Sequence, residues 1–152
     1  MTGVQTCALP ISLHANFEII DLTEFVNEIV ESSKHRFPNV NFIFECGSDI
    51  RISVQGDPLL LKQAVSNITD NACKSYDTGI GEIKIRYLQS YENFRLEIVD
   101  NGSGISETDK DNIFTPFYSG SPSGSGLGLP LAQKIISLDR KRSCRERVFR
   151  AV

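Results

Sequence analysis

The chain has 152 residues, the length of a single domain, and 40% of them are hydrophobic, which is enough for a core. Its formal net charge of −3 argues against an overall nucleic-acid binder. No apolar run approaches the roughly 20 residues of a membrane span, and the four cysteines lack zinc-site spacing. These features predict a soluble, cytoplasmic domain with free thiols.

The two ends of the chain do not have the pattern of a folded domain. Residues 1–12 resemble the translation of a sequencing adapter, and residues 139–152 include a stretch that resembles the opposite adapter. A signal peptide is the alternative for the start, but a basic region and a long apolar region are lacking. A nucleic-acid-binding basic run is the alternative for the end. We predict that the domain occupies residues 13–138.

The first third of that domain predicts strands around one helix. Residues 17–20 form a short apolar strand, and Asp21 is suited to cap a helix that runs to about Arg36. Residues 40–44 alternate between apolar and polar side chains, as in a half-buried strand. Residues 50–54 alternate again and are predicted to be its partner strand.

A second helix is predicted from Pro58 to about Tyr76. On it, Asn67, Asn71 and Lys74 are spaced i, i+4 and i+7, so they share one face. Two amide oxygens on one face can ligate Mg²⁺ together with phosphates, because Mg²⁺ needs few protein ligands. The alternative is a solvated polar stripe on the helix surface. An asparagine pair with no other motif beside it favours this alternative.

A hairpin follows, formed by strands over residues 83–87 and 95–99, and its second strand ends at Asp100. Gly102 and Gly104 then break regular structure and allow close approach of a ligand to the backbone. A carboxylate fixed at a strand end can accept a hydrogen bond from an amine, such as that of a purine. A simple tight turn is the alternative.

A polar loop and a second glycine cluster complete the pattern. Ser106 is predicted to cap a short helix through Ile113, and residues 118–123 are predicted to form a mobile lid. Residues 124–129 then open a helix that runs through Ile136. Free backbone N–H groups and the positive dipole end at such a helix start suit phosphate.

In this order, the segments resemble the ATP-binding domain of sensor histidine kinases, within the GHKL ATPase superfamily. Residues 57–72 resemble the family's N box, 99–105 its G1 box, 114–117 its F box and 124–129 its G2 box. The resemblance covers nearly all of residues 17–138. The fold class expected from the alternating strands and amphipathic helices is a two-layer α/β sandwich, with a mixed, mostly antiparallel sheet and helices on one face.

The resemblance implies that ATP and Mg²⁺ are the cofactors, and it assigns roles to residues. Asn67 and Asn71 would hold the metal ion, and with Lys74, which would contact phosphate, they form the implied catalytic set. Phe114 and Phe117 would anchor the lid. The implied nucleotide-binding residues are Asp100, Gly102, Gly104, Ile105, Phe117, Gly124, Gly126, Leu127, Gly128 and Leu129.

The implied function is transfer of the ATP γ-phosphate to a histidine on a separate dimerisation domain, with a response regulator as a further partner and no nucleic acid. Membrane attachment of a longer parent protein stays open. The alternatives are a non-catalytic GHKL-type binding module and an anti-sigma-like serine kinase. Related hydrolases carry a glutamate where Asn67 stands, so the asparagine favours a kinase.

The sequence also departs from the family pattern. Ser75 stands where many such kinases have an aromatic residue, with Tyr76 one place later, and Ser121 or a neighbour stands where related lids carry a basic residue. The final strands of the family sheet are expected to be missing, so the sheet is predicted to have an unpaired edge and uncovered apolar surface. Neither His14 nor His35 lies in a phosphoacceptor motif.

Overall fold

The computed structural model describes residues 16–45, 52–76, 80–89, 94–120, 124–142 and 150–151. The predicted adapter-like start, His14 and residues 121–123 of the predicted lid lie outside the described residues. The elements, in chain order, are β1 (Glu18–Asp21), α1 (Leu22–Arg36), β2 (Val40–Glu45), β3 (Ser53–Gly56), α2 (Pro58–Lys74), β4 (Gly81–Gln89), β5 (Phe94–Asp100), α3 (Glu107–Lys110), α4 (Gly128–Arg142) and β6 (Arg150–Ala151).

The main sheet has four strands in the order β2-β4-β5-β6, and a separate two-stranded ribbon pairs β1 with β3. Strand β4 is parallel to β2 and antiparallel to β5, so the sheet is mixed. Alternate residues of the two central strands, Ile83 and Ile85 on β4 and Leu96 and Ile98 on β5, are buried in one core with α1 and α2. The predicted α/β sandwich is therefore confirmed.

The first two helices begin at the predicted caps. The Asp21 side chain accepts hydrogen bonds from the backbone of Thr23 and Glu24 at the start of α1. The Asp57 side chain does the same for α2, which then has proline in its first turn. Helix α3 ends at Lys110, earlier than predicted. No helix among the described residues is both long enough and apolar enough to cross a bilayer.

The predicted partner of β2 is wrong. Strand β3 pairs with β1 instead, where Ile20 lies opposite Val54 and both side chains are buried. The backbone N–H of Leu22 also donates to the Ile52 carbonyl at 3.0 Å. Strand β2 instead pairs with β4, beyond α2, as a parallel pair joined by a long crossover. Alternation identified the strands, but burial against the helices selected their partners.

The predicted unpaired sheet edge is wrong at two residues of β5, because β6 pairs in parallel with Glu97 and Ile98. Glu97 is 5% exposed and lies between two arginines, with Arg86 Nε 2.8 Å and Arg95 Nη1 3.4 Å from its carboxylate. The Arg86 hydrogen bond is the main cause that lowers the pKa of Glu97. The strand that ends at Asp100 is thus held by an ion pair as well as by the ladder.

Candidate functional site

The polar face of α2 lies beside the start of α4. A second, small core joins the two helices through the buried Ala64, Ala132 and Ile135. The alanines have little side chain, so the two helices can approach closely at this point. This packing brings the second glycine cluster next to the predicted asparagine pair.

Asn67 contacts the first residue of α4 directly. Its Nδ2 donates to the carbonyl oxygen of Gly128 at 3.3 Å. A Cβ at Gly128 would lie 3.8 Å from the Asn67 side chain, which is ordinary contact. The amide nitrogen is therefore used in holding α4, whereas the amide oxygen has no hydrogen-bond partner among the described residues. That oxygen fits the donor type that Mg²⁺ prefers.

Asn71 and Lys74 follow on the same face of α2, and both side chains are exposed. Within the described ranges, no group of three or more His, Cys, Asp or Glu side chains is placed to hold a metal ion. A cation at this face would be held by asparagine oxygens together with oxygens of a bound ligand. The predicted set of Asn67, Asn71 and Lys74 is thus brought together on one side of α2 by its helical spacing.

Asp100 lies at the end of β5, half-buried, with one carboxylate oxygen in use. Its Oδ1 accepts from the backbone N–H of Gly102 at 2.8 Å and lies 3.3 Å from the Ser75 hydroxyl. Among the described residues, no hydrogen bond ends on the other oxygen, Oδ2. A Cβ at Gly102 would lie 1.9 Å from the Ser75 hydroxyl oxygen, so this position has no room for a side chain. The turn therefore presents one free carboxylate oxygen.

Tyr76 fixes the same turn from the other side, although it was not among the predicted site residues. Its hydroxyl donates to the Glu82 carbonyl at 2.7 Å and accepts from the Asn101 backbone N–H at 2.9 Å. Its ring packs where a Cβ at Gly81 would come within 2.5 Å. Burial is the main cause that raises the pKa of the Tyr76 hydroxyl. The only sequence signal for this role was Gly81, the first residue of β4.

The F box contacts the second glycine cluster. Phe117 has a positive φ of 67°, and its N–H donates to the Gly126 carbonyl at 2.9 Å. Gly126 has a φ of +66°, and a Cβ there would lie 2.5 Å from the Phe117 carbonyl carbon. Glycine is required at this position by both its conformation and its contact. The F box and the G2 box thus form one unit.

Three polar side chains that were not predicted as a group form a hydrogen-bonded cluster, which links α3 to Tyr118 directly after the F box. Asp109 accepts from the Ser106 hydroxyl at 2.5 Å and from the Tyr118 hydroxyl. The Ser106 hydrogen bond, followed by that of Tyr118, lowers the pKa of Asp109. The same contact with Asp109 is the main cause that raises the pKa of Tyr118.

Large apolar side chains are exposed on the loops of the site. Gly104 has a φ of +76° and open space where a Cβ would stand. Of the other predicted residues here, Gly124 is exposed and Leu129 is half-buried. Exposed apolar side chains on adjacent loops are a common feature of ligand sites. The side chains in question are Ile105 (49% exposed), Phe114 (45%), Phe117 (76%) and Leu127 (42%).

Comparisons of sequence give a consistent result. Residues 56–148 match the family described as histidine kinase-, DNA gyrase B-, and HSP90-like ATPase. The signal transduction histidine-protein kinase ArlS of Staphylococcus aureus (strain USA300) is 32% identical over 126 residues. That alignment covers 77% of this chain but 28% of ArlS, so the chain spans about a quarter of that relative's length.

Solved structures are similar over most of the chain. A mycobacterial sensor histidine kinase, MprB, superposes with a TM-score of 0.70 at 28% identity and covers 80% of this chain and 79% of its own. The catalytic domain of histidine kinase ThkA gives a TM-score of 0.68 at 32% identity and covers 81% of each chain.

Proposed function

Because the chain belongs to the histidine kinase-, DNA gyrase B- and HSP90-like ATPase family, as the ATP-binding catalytic domain of a sensor histidine kinase, we propose that it binds Mg-ATP between α2 and α4. The observation that carries this proposal is the juxtaposition of Asn67 with Gly128 at 3.3 Å. It supports the proposal because the Asn67 amide, whose oxygen would ligate the metal, lies beside Gly128 at the start of α4. The triphosphate would lie between these two groups.

The proposal assigns the adenine to the Asp100 side of the site. The free oxygen of the carboxylate, Oδ2, would accept a hydrogen bond from the exocyclic amine. Gly102 and Gly104 would form the pocket, and Ile105 would supply an apolar surface for the base. The exposed apolar side chains of Phe117 and Leu127 support this assignment, because a bound base and ribose would cover part of them.

The phosphates are assigned to the α4 side. Backbone N–H groups of Gly124, Gly126, Leu127, Gly128 and Leu129 lie before or in the first turn of α4, where a helix start attracts anions. Lys74 would contact phosphate from α2. Mg²⁺, held by the amide oxygens of Asn67 and Asn71, would neutralise phosphate charge. Positioning and charge neutralisation are what phosphoryl transfer chiefly requires of a protein.

A substitution of Asp100 tests the adenine assignment. Asp100→Asn is expected to weaken ATP binding about 5- to 150-fold, because the new amide can turn a donor toward the adenine amine; this corresponds to roughly 1–3 kcal/mol. Titration calorimetry with Mg-ATP measures the change. Asp111→Asn, at an exposed aspartate just after α3, is the matched control and should bind like the parent. Equal affinities for the two variants would exclude Asp100 as the adenine contact.

A substitution of Asn71 tests the metal assignment separately. Asn71→Ala is expected to reduce ATP affinity in the presence of Mg²⁺ and to leave metal-free binding nearly unchanged, because only the metal contact is removed. The measurement is ATP affinity with Mg²⁺ and with a chelator. Asn27→Ala, at an exposed asparagine of α1, is the control. A loss of equal size under both conditions would point to a folding defect.

For the whole protein, of which this chain is one part, we propose transfer of the γ-phosphate to a histidine on a separate dimerisation domain. A response regulator would then receive the phosphoryl group. The relatives named as a signal transduction histidine-protein kinase and a sensor histidine kinase support this proposal. The domain itself would act in the cytoplasm, whether or not its parent is attached to a membrane.

A further inference from the structure

Ser75 stands at the end of α2, in contact with the carboxylate assigned to adenine. It is the C-cap of the helix, with φ −73° and ψ −5°, and its hydroxyl lies 2.8 Å from the Ala72 carbonyl and 3.3 Å from Asp100 Oδ1. Its single proton can serve only one of these acceptors at a time. The Ala72 carbonyl already accepts from the Ser75 backbone N–H at 3.2 Å, whereas a carboxylate is the stronger acceptor.

The two oxygens of the Asp100 carboxylate therefore differ in their hydrogen-bond partners. Oδ1 faces two donors, the Gly102 N–H and the Ser75 hydroxyl, whereas Oδ2 has no hydrogen-bond partner among the described residues. Space reinforces this arrangement, since a Cβ at Gly102 would overlap the Ser75 side chain and come within 2.8 Å of Oδ1. The carboxylate cannot turn without losing these bonds.

This asymmetry has a consequence for purine recognition. Adenine presents one exocyclic amine next to an acceptor nitrogen, so a single carboxylate oxygen is sufficient. Guanine presents two adjacent donors, its ring N–H and its amine, which pair best with both oxygens of a carboxylate at once. A carboxylate with one oxygen already occupied is matched to the first base and is mismatched to the second.

We propose that Ser75 is a positioning residue that selects adenine over guanine nucleotides by occupying Oδ1 of Asp100, so that only Oδ2 can contact the base. This proposal rests on the proposed function, in which Asp100 contacts adenine. Ser75 itself does not touch the nucleotide. Its effect passes through the carboxylate, and selectivity between the two bases is the property that it sets.

The test is the ratio of GTP to ATP dissociation constants, measured on the full chain with Mg²⁺. Ser75→Ala is expected to weaken ATP binding roughly fivefold, the effect of one hydrogen bond, and to leave GTP binding unchanged or tighter. The ratio should therefore fall about fivefold or more. Ser75→Thr keeps the hydroxyl and should restore the parent ratio. Ser75→Cys, a weak donor of similar size, is the second variant and should resemble alanine.

The matched control is Ser137→Ala on α4, where an exposed hydroxyl also returns to a helix carbonyl, that of Gln133, at 2.7 Å. It should leave the ratio unchanged. Equal weakening of ATP and GTP in Ser75→Ala would mean a merely structural role and would overturn the proposal. A ratio unchanged in both Ser75→Ala and Ser75→Cys would overturn it as well.

A double variant separates this inference from the proposed function. In the Asp100→Asn background, Ser75→Ala should cause no further change in the ratio, because the carboxylate through which it acts is gone. If Asp100→Asn weakens ATP binding and Ser75→Ala leaves the ratio intact, only this inference fails. If Asp100→Asn itself has no effect on ATP binding, the adenine assignment fails, and this inference fails with it.

Discussion

At the scale of single residues, Cys73 shows how the position of a side chain in the fold sets its chemistry. It lies on α2 directly before Lys74 but faces the core and is 4% exposed. Burial, followed by the nearby charge of Asp70, raises the pKa of its thiol from 9.0 to about 11. This residue is therefore expected to be an inert core side chain rather than a reactive thiol.

The raised pKa gives a prediction for alkylation. At pH 8 the Cys73 thiolate should be about 100-fold scarcer than for an ordinary cysteine, so iodoacetamide should modify it very slowly. The rate should rise as the pH approaches 11. Peptide mapping by mass spectrometry after timed alkylation measures the rate, and the same reaction in urea is the control. Rapid alkylation of Cys73 in the folded chain at pH 8 would contradict the burial.

The raised pKa of Cys73 also makes the stability of the fold depend on pH. The folded state holds the thiol proton more tightly than the unfolded state, because its pKa is the higher of the two. The stabilising contribution of the protonated Cys73 thiol to the free energy of unfolding is therefore complete below about pH 9. It is lost as the pH rises toward 11. Denaturation midpoints across that range should fall more for the parent than for Cys73→Ala.

At the scale of elements, the unit formed by the F box and the G2 box has no room for one added methyl group at Gly126. Gly126→Ala would force a left-handed φ on alanine, at about 1–2 kcal/mol, and would place its Cβ against the Phe117 backbone. We expect the Phe117–Gly126 hydrogen bond to break, and ATP affinity to fall roughly tenfold as the loop that would hold phosphate is displaced. Calorimetric titration with Mg-ATP measures the affinity.

The control for this element is Gly120→Ala. Gly120 is exposed in the same loop, and nothing lies within 4 Å of the place where its Cβ would stand. That variant should bind ATP like the parent. If Gly126→Ala also did so, the contact between the F box and the G2 box would not belong to the nucleotide site.

At the scale of the whole molecule, we expect that this chain by itself does not phosphorylate its own histidines. Transfer requires an acceptor imidazole in line with the γ-phosphate at near-attack distance. His35 lies exposed in the last turn of α1, next to the ion-paired Lys34 and Arg36. His14 lies outside the described residues. Incubation with labelled ATP should therefore leave no acid-labile label on the chain.

A histidine-bearing helical hairpin from a related kinase, added as a separate protein, is the positive arm of that experiment. Label on the hairpin but not on this chain would support the proposed kinase function over a non-catalytic module. Acid-labile label mapped to His35 or His14 would contradict the expectation for the chain alone.

The sequence by itself determined the features that follow from local geometry. Helical spacing placed Asn67, Asn71 and Lys74 on one face, and the caps at Asp21 and Asp57 fixed where two helices start. Strand alternation identified the core residues of β4 and β5 and the strand end at Asp100. These features are readable because the repeats of helix and strand are set within a few residues.

Only the tertiary structure decided which distant residues meet. The Ser75–Asp100 contact joins residues 25 apart in the chain, and the Asn67–Gly128 contact joins residues 61 apart. The pairing of β3 with β1 is a third case, and there the sequence-based choice of the nearest strand was wrong. The physical reason is that alternation defines a buried face but does not specify what covers it. The partner is chosen by the packing of the strands and helices around one core.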